Sequence, residues 1–386
     1  MKKNICIITG SRAEYGLQKK IIDNINQIKL FNLQLIVTGS HLSNNFSYTY
    51  KEIIKDGIKI TKKIKILPNK KKDLNSIDIL SSIGDSFYKF GNFFKNKKTD
   101  ILIIFGDRYE MIAPAYAALF LTIPICHIHG GEITNGSIDD SIRHTITKLS
   151  RLHFVANKTY KKRVIQMGEN PNNVFIVGGL GADKIKKNYN FVKYKEIEKK
   201  FNFKFNKINY LVTIHPETNN NKKLEIKNLL DAIKEVKNSF VIFTGVNADF
   251  DGYYIKNEIL KYVKNNDKKS IYIESMGDSY YLSTMKIVTA VIGNSSSGIV
   301  EAPYFKVPTI NIGNRQNGRV FSNSIVHCSF NKKEIKSCLN KINSLKFKKS
   351  IEKISLPYGK AGASNKICNI LMKNFNLTSY KTFYDL

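Results

Sequence analysis

Short apolar runs recur along the chain with amphipathic stretches of helical period between them, and this alternation restricts it to an α/β fold built on parallel sheets. Ile5 to Thr9, Leu33 to Thr38, Lys59 to Ile66, Ile101 to Phe105, Ile123 to His129, Leu152 to Val155 and Val174 to Val177 read as strands. Helices from about Glu14, from Ile77 to Phe94 and from Lys158 to Met167 fall between them. A lysine-rich, weakly periodic stretch over 186–207 interrupts the rhythm, which restarts at Tyr210 to Ile214, Phe240 to Phe243, Ile271 to Ile273, Val288 to Ile292 and Thr309 to Ile312. Lys332 to Lys341 and Ala363 to Phe375 read as helices. The expected architecture is two Rossmann-like domains facing across a cleft. Residues 1–185 form the first and carry most acid/base groups, 186–207 form a linker region, and 208–386 form a nucleotide-binding second domain whose last helix is a candidate to pack back on the first.

With 386 residues and 42% hydrophobic content the chain can fill two cores of ordinary domain size. Its net charge of +31 would suggest a nucleic-acid partner. The kind of base argues otherwise: only seven of 62 basic residues are arginine, and the lysines are spread through every segment beside abundant asparagine. Genome-wide codon bias can produce this pattern. Clusters such as Lys70 to Lys72 and Lys95 to Lys98 lack interleaved aromatics, so they read as solvated faces and no nucleic acid is expected. Five scattered cysteines without CxxC spacing point to a reducing cytosol and no structural disulfide. The longest apolar stretch, Met111 to Ile128, is broken by Pro114, Pro124 and His127 and reads as a helix followed by a strand, so no membrane partner is expected.

Charged clusters sit just beyond the apolar strands, where open α/β sheets bind ligands. Ile101 to Phe105 runs into Gly106-Asp107-Arg108-Tyr109-Glu110, and Ile123 to His129 into Gly130-Gly131-Glu132. The next helix opens with Asp139-Asp140-Ser141-Ile142-Arg143-His144. Carboxylates beside buried strands cost several kcal/mol unless paired or used, so Asp107, Glu132, Asp139 and Asp140 are candidates for chemistry, with Arg108 and Arg143 as their partners. His127 and His129, two apart on a strand, would share a face, which raises an HxH metal site with Glu132 or His144. No further ligand pair has metal-like spacing, and histidines hydrogen-bonded to neighbouring strands are the simpler reading. Arg12, after the first strand, and Arg319, near Arg315 in a Gly-rich turn, can offer guanidinium forks to an anion. Gly293-Asn294-Ser295-Ser296-Ser297-Gly298 follows an apolar strand and opens a helix, a phosphate seat in which backbone N–H groups and serine hydroxyls act with the helix dipole. Glu301 could reach ribose hydroxyls from that helix. The absence of GxGxxG and Walker patterns leaves nicotinamide binding and a P-loop kinase unsupported. His215, before Pro216-Glu217, could meet a phosphate oxygen or simply cap its strand.

These segments strongly resemble the hydrolysing UDP-N-acetylglucosamine 2-epimerases over nearly the whole chain. The likeness rests on Gly10 to Gly16, Gly106 to Glu110, His127 to Glu132, Asp139 to His144, His215 to Glu217 and Gly293 to Gly298. Non-hydrolysing relatives read HVEAGLR at the positions of His127 to Glu132. The resemblance implies a glycosyltransferase-B-like fold, a nucleotide-sugar substrate, neither nicotinamide nor metal as cofactor, and assembly into homodimers or homotetramers. It assigns Asp107, Glu132, Asp139, Asp140 and His215 to catalysis. Arg12, Arg108, His129, Arg143, Ser295, Ser296, Glu301 and Arg319 fall to nucleotide or substrate binding. The implied reaction converts UDP-N-acetylglucosamine and water into N-acetylmannosamine and UDP through a 2-acetamidoglucal, feeding sialic acid synthesis in the cytoplasm. The same reaction on a UDP- or GDP-linked 2,4-diacetamido-2,4,6-trideoxyglucose, on the legionaminic acid route, is the alternative. A glycosyltransferase of the same fold is a third reading. Contacts near Phe243 to Asn247 would choose between the sugars.

Overall fold

β1 (Lys3–Thr9), β2 (Phe31–Val37), β3 (Lys62–Lys63), β4 (Ile101–Phe105), β5 (Ile125–Ile128), β6 (Leu152–Val155) and β7 (Val174–Ile176) form one parallel sheet in the order β3-β2-β1-β4-β5-β6-β7. Its central strands are apolar runs rather than alternating ones because helices cover both faces. Ile5, Cys6, Ile7 and Ile8 of β1 and all of β4 are buried. The computed structural model describes residues 2–44, 48–67, 76–135, 137–185, 190–217, 225–246 and 252–386. It divides into two units. The first, Met1–Glu132, Asp139–Lys184 and Tyr358–Leu386, holds this sheet. Its helices are α1 (Arg12–Gln27), α2 (Tyr50–Lys55), α3 (Ser76–Asn96), α4 (Ile112–Phe120), α5 (Asp139–Leu149), α6 (Lys158–Gln166) and α7 (Gly181–Lys184), together with one from the end of the chain.

The second unit, Ile133–Ile138 and Ile185–Pro357, repeats the design. Its strands are β8 (Ile208–Thr213), β9 (Ser239–Thr244), β10 (Ser270–Ile273), β11 (Ala290–Gly293), β12 (Thr309–Ile312) and β13 (Ile325–Cys328), in the parallel order β10-β9-β8-β11-β12-β13. The helices are α8 (Tyr194–Phe201), α9 (Ile226–Lys234), α10 (Gly252–Asn265), α11 (Asp278–Ile287), α12 (Ser296–Val300), α13 (Lys332–Asn343) and α14 (Leu345–Ser350). In both sheets the order reverses at one pair, β1 beside β4 and β8 beside β11. Such switch points open a crevice at the carboxyl ends of the strands.

The final helix, α15 (Ala363–Lys373), belongs to the first unit. Ile367 and Leu371 are fully buried in that core. The Asp183 carboxylate accepts the N–H groups of Ala363 at 3.1 Å and Ser364 at 2.6 Å, and that of Gly362 as well, so a negative charge satisfies the helix start.

Three readings change. The strand expected over Lys59 to Ile66 shrinks to two lysines on the sheet edge, where exposed charge blunts further pairing. The stretch 186–207, expected as a linker, carries α8 within the second unit, with Ile197 buried and Phe203 stacked on Phe240. β13 was not read from the sequence at all. Lys70 to Lys72, Asn247 and positions 186–189 lie outside the described residues. No described helix is long and apolar enough to cross a membrane.

Candidate functional site

The first unit gathers its candidates after β1, β4 and β5 and at the start of α5 around one buried cation. Arg143 is 1% exposed. Its guanidinium donates to the Asp107 carboxylate, to Asp140 Oδ1 at 3.1 Å and to the Glu132 carbonyl at 2.8 Å. One fork therefore ties the loops after β4 and β5 to the first turn of α5, and it supplies positive charge between two carboxylates. Asp140 also has His144 Nε2 at 3.5 Å, while Asp139 heads the same helix, half-buried.

His129 has φ +68° and lies past the end of β5. The expected shared face with His127 is therefore lost, because the left-handed turn redirects the second ring. Its Nε2 accepts the Leu180 N–H at 3.2 Å, which leaves the ring proton on Nδ1, 2.8 Å from Glu132 Oε1. His127 is structural instead. Its Nε2–H donates to the Gly106 carbonyl at 2.7 Å, and burial pushes its pKa down to about 3, so it stays neutral while fixing the turn that presents Asp107.

Arg12 Nε donates to Glu52 at 2.8 Å, and Arg108 Nε to Glu110 at 3.3 Å. Behind these lies a feature not singled out from the sequence, the buried pair Glu14 and Glu110, 7% and 3% exposed. Ser11 caps α1 by accepting the Glu14 N–H, and Glu14 returns its Oε2 to the Gly10 N–H at 2.7 Å. This is a variant of the Ser-x-x-Glu capping box, the signal that could have found it. Burial first, then the charge of Glu110, raises the Glu14 pKa to about 7. Arg163 is also drawn in, donating to the Gly131 carbonyl.

The second unit assembles its candidates after β8, β11 and β12. Asn294 is fully buried and clasps the His215 backbone, its Oδ1 accepting the N–H at 2.7 Å and its Nδ2 donating to the carbonyl at 2.8 Å. Gln316 and Arg315 donate to the Asn294 carbonyl at 2.8 and 3.3 Å. Glu217 Oε1 accepts the N–H groups of Asn314 and Arg315 at 2.8 and 3.1 Å, fixing the loop that leads to the half-buried Arg319. Ser295 caps α12, Ser297 Oγ lies 2.6 Å from Tyr281 Oη, and Glu301 follows, 7% exposed. With five residues α12 is short, so its dipole adds little and the Ser295–Ser296 turn itself is the polar surface. Gly293 makes this junction possible. It has φ +136°, and a Cβ there would stand 1.9 Å from the Thr213 carbonyl oxygen.

Carboxylates organised on one switch-point fold and a Ser/Arg loop on a second suit a nucleotide-sugar enzyme. The profile of the UDP-N-acetylglucosamine 2-epimerase family matches residues 23–372. The chain belongs to that family, in its hydrolysing branch. It is 43% identical over the full length of both proteins to the GDP/UDP-N,N'-diacetylbacillosamine 2-epimerase (hydrolyzing) of Campylobacter jejuni. It is 37% identical, over 100% of this chain and 98% of the relative, to polysialic acid biosynthesis protein P7 of Escherichia coli. The fold of this epimerase family member matches the Neisseria meningitidis UDP-GlcNAc 2-epimerase solved with UDP-GlcNAc. There the TM-score is 0.81 at 17% identity, covering 96% of this chain and 100% of the other.

Proposed function

We propose that this protein hydrolyses and 2-epimerises nucleotide-linked N,N'-diacetylbacillosamine, a 2,4-diacetamido-2,4,6-trideoxyglucose, releasing the 2-epimer as a free sugar. The observation that carries this reading is the end-to-end 43% identity to the Campylobacter enzyme named for that substrate. C2 of such a sugar has no neighbouring carbonyl to acidify its proton. A carboxylate therefore withdraws the C2 proton as the C1–O bond to the diphosphate breaks, the electron pair becoming the C1–C2 double bond of an acetamidoglucal. Water then adds its oxygen to C1 while an acid returns a proton to C2 from the opposite face. Asp107, Glu132, Asp139 and Asp140 supply the proton-transfer groups, with Arg143 holding Asp107 and Asp140 in place. Ser295, Ser296, Glu301 and Arg319 bind the nucleotide, and His215 acts with the catalytic groups at a phosphate oxygen. Arg12 and Arg319 stabilise the departing diphosphate, and Arg108 and His129 position the sugar. The chemistry calls for neither nicotinamide nor metal.

A second reading, UDP-N-acetylglucosamine to N-acetylmannosamine for sialic acid synthesis, is favoured by the likeness to the polysialic acid protein. Comparing kcat/KM for UDP- and GDP-diacetylbacillosamine with that for UDP-N-acetylglucosamine separates them. The first reading expects at least about tenfold preference for a diacetamido substrate, the discrimination that about 1.4 kcal/mol provides, and equal or reversed values reject it. We place the enzyme in the cytoplasm, which accords with five free thiols. Self-association is expected through α3 and α4, which expose Ile77, Leu80, Tyr88 and Phe120, the last at 81%.

A further inference from the structure

The five cysteines fall into two chemical groups. Cys6 and Cys126 are fully buried, and desolvation pushes both thiols far up. Burial raises Cys368 to about 11. None of these three is a nucleophile at neutral pH. Cys328 and Cys338 differ. Cys328 ends β13, Cys338 sits on the inner face of α13 in the same core, and the Cys338 S–H donates at 3.6 Å to the carbonyl of His327, the residue next to Cys328. The neighbouring Cys328 thiol, with Lys341 assisting, lowers the Cys338 pKa, and Cys328 itself is pushed up. Two free thiols thus meet where α13 packs on β13, with Cys338 buried and Cys328 half-buried.

The pair sits one hydrogen bond from the loop that carries Arg315 and Arg319. The Cys328 carbonyl accepts the Gly313 N–H at 2.9 Å. Gly313 has φ +81° and is wedged against Glu217, to whose Oε1 a Cβ would come within 2.3 Å, and against the Phe330 ring at 2.9 Å. The same Glu217 oxygen holds the N–H groups of Asn314 and Arg315.

We propose that Cys328 and Cys338 form a redox modification site, a dithiol that closes to an intrachain disulfide under peroxide and loosens the 313–319 loop. The Cys338 thiolate attacks one peroxide oxygen, breaking the O–O bond and, after proton transfer, giving a sulfenic acid and one water. The Cys328 thiol then attacks that sulfur, forming the S–S bond and expelling the second water. Two thiols are oxidised by two electrons and one hydrogen peroxide is reduced to two waters. Drawing Cys328 toward α13 tilts the end of β13 and strains the bond to Gly313.

Treating the intact protein with stoichiometric hydrogen peroxide tests this without any nucleotide. The expected result is a loss of two hydrogens in intact mass, a tryptic Cys328–Cys338 cross-link that dithiothreitol reverses, and no such loss in Cys338→Ser or Cys328→Ser. Amide exchange across 313–319 should speed up about 5-fold in the oxidised form, the low end of coupling between distinct sites. Alkylation of both thiols after peroxide, or a cross-link to another cysteine, overturns the site. Exchange unchanged across 313–319 in the cross-linked protein overturns its link to the loop.

Discussion

Replacing Glu14 by glutamine should change how stability depends on pH, and the structure fixes both sign and size. Glu14 is 7% exposed, with Oε2 bonded to the Gly10 N–H and Oε1 buried without a hydrogen-bond partner among the described residues. Its pKa rises from the ordinary 4.5 to about 7. The folded chain therefore retains a proton that the unfolded chain releases from about pH 4.5 upward. Stability from this group is complete below pH 4.5, falls as pH climbs through 7, and is flat beyond. At about 1.4 kcal/mol per unit, ionising Glu14 inside the fold costs on the order of 3 kcal/mol. Glutamine reproduces the neutral acid, keeps an oxygen for Gly10 and has no proton to lose. Urea unfolding at half-unit steps from pH 4.5 to 8.5 reads the difference between variant and parent, in which titrating groups that do not interact with Glu14 cancel. Glu14→Gln should match or fall slightly below the parent at pH 4.5 and exceed it by about 3 kcal/mol at pH 8. A difference that does not change with pH refutes a retained proton on Glu14, and one that changes in the opposite sense means that Glu14 folds as a carboxylate.

Arg143→Met leaves Asp107 and Asp140 without their shared cation and should destabilise the first unit by about 3–5 kcal/mol, read as a fall in the urea midpoint. Asp107→Asn and Glu132→Gln should each lower turnover by orders of magnitude with UDP affinity near that of the parent, whereas Arg319→Ala should weaken UDP binding first; calorimetric titration with UDP beside steady-state kinetics separates the two patterns. Gly293→Ala drives a methyl into the Thr213 carbonyl and should lower the melting temperature and UDP affinity together.

The strands that carry the chemistry were legible because they are buried on both faces and read as unbroken apolar runs. The clusters at their ends stood out because charge beside such runs needs a reason. What escaped depended on three-dimensional context. β13 is four residues in a serine-rich stretch, too short for periodicity to register. α8 was hidden by its own lysines, although Ile197 and Phe201 keep helical spacing. The left-handed turn at His129 has no local signature, since glycine rather than histidine normally marks one, and so the two histidines were read onto one face. Arg143 was recognised as a partner for carboxylates, but its near-complete burial and its third acceptor, the Glu132 carbonyl, required the packed structure. Glu14 was legible in principle as the fourth residue of Ser-Arg-Ala-Glu, and its burial, with the charge of Glu110 added, explains why that cap also holds a proton.

Turnover of nucleotide-linked diacetylbacillosamine in deuterium oxide probes the proton-transfer scheme most directly. The expected product is a free 2-epimer carrying one deuterium at C2 from the first turnover, together with nucleoside diphosphate. A released sugar that keeps its original hydrogen at C2, whatever its configuration, would contradict the scheme.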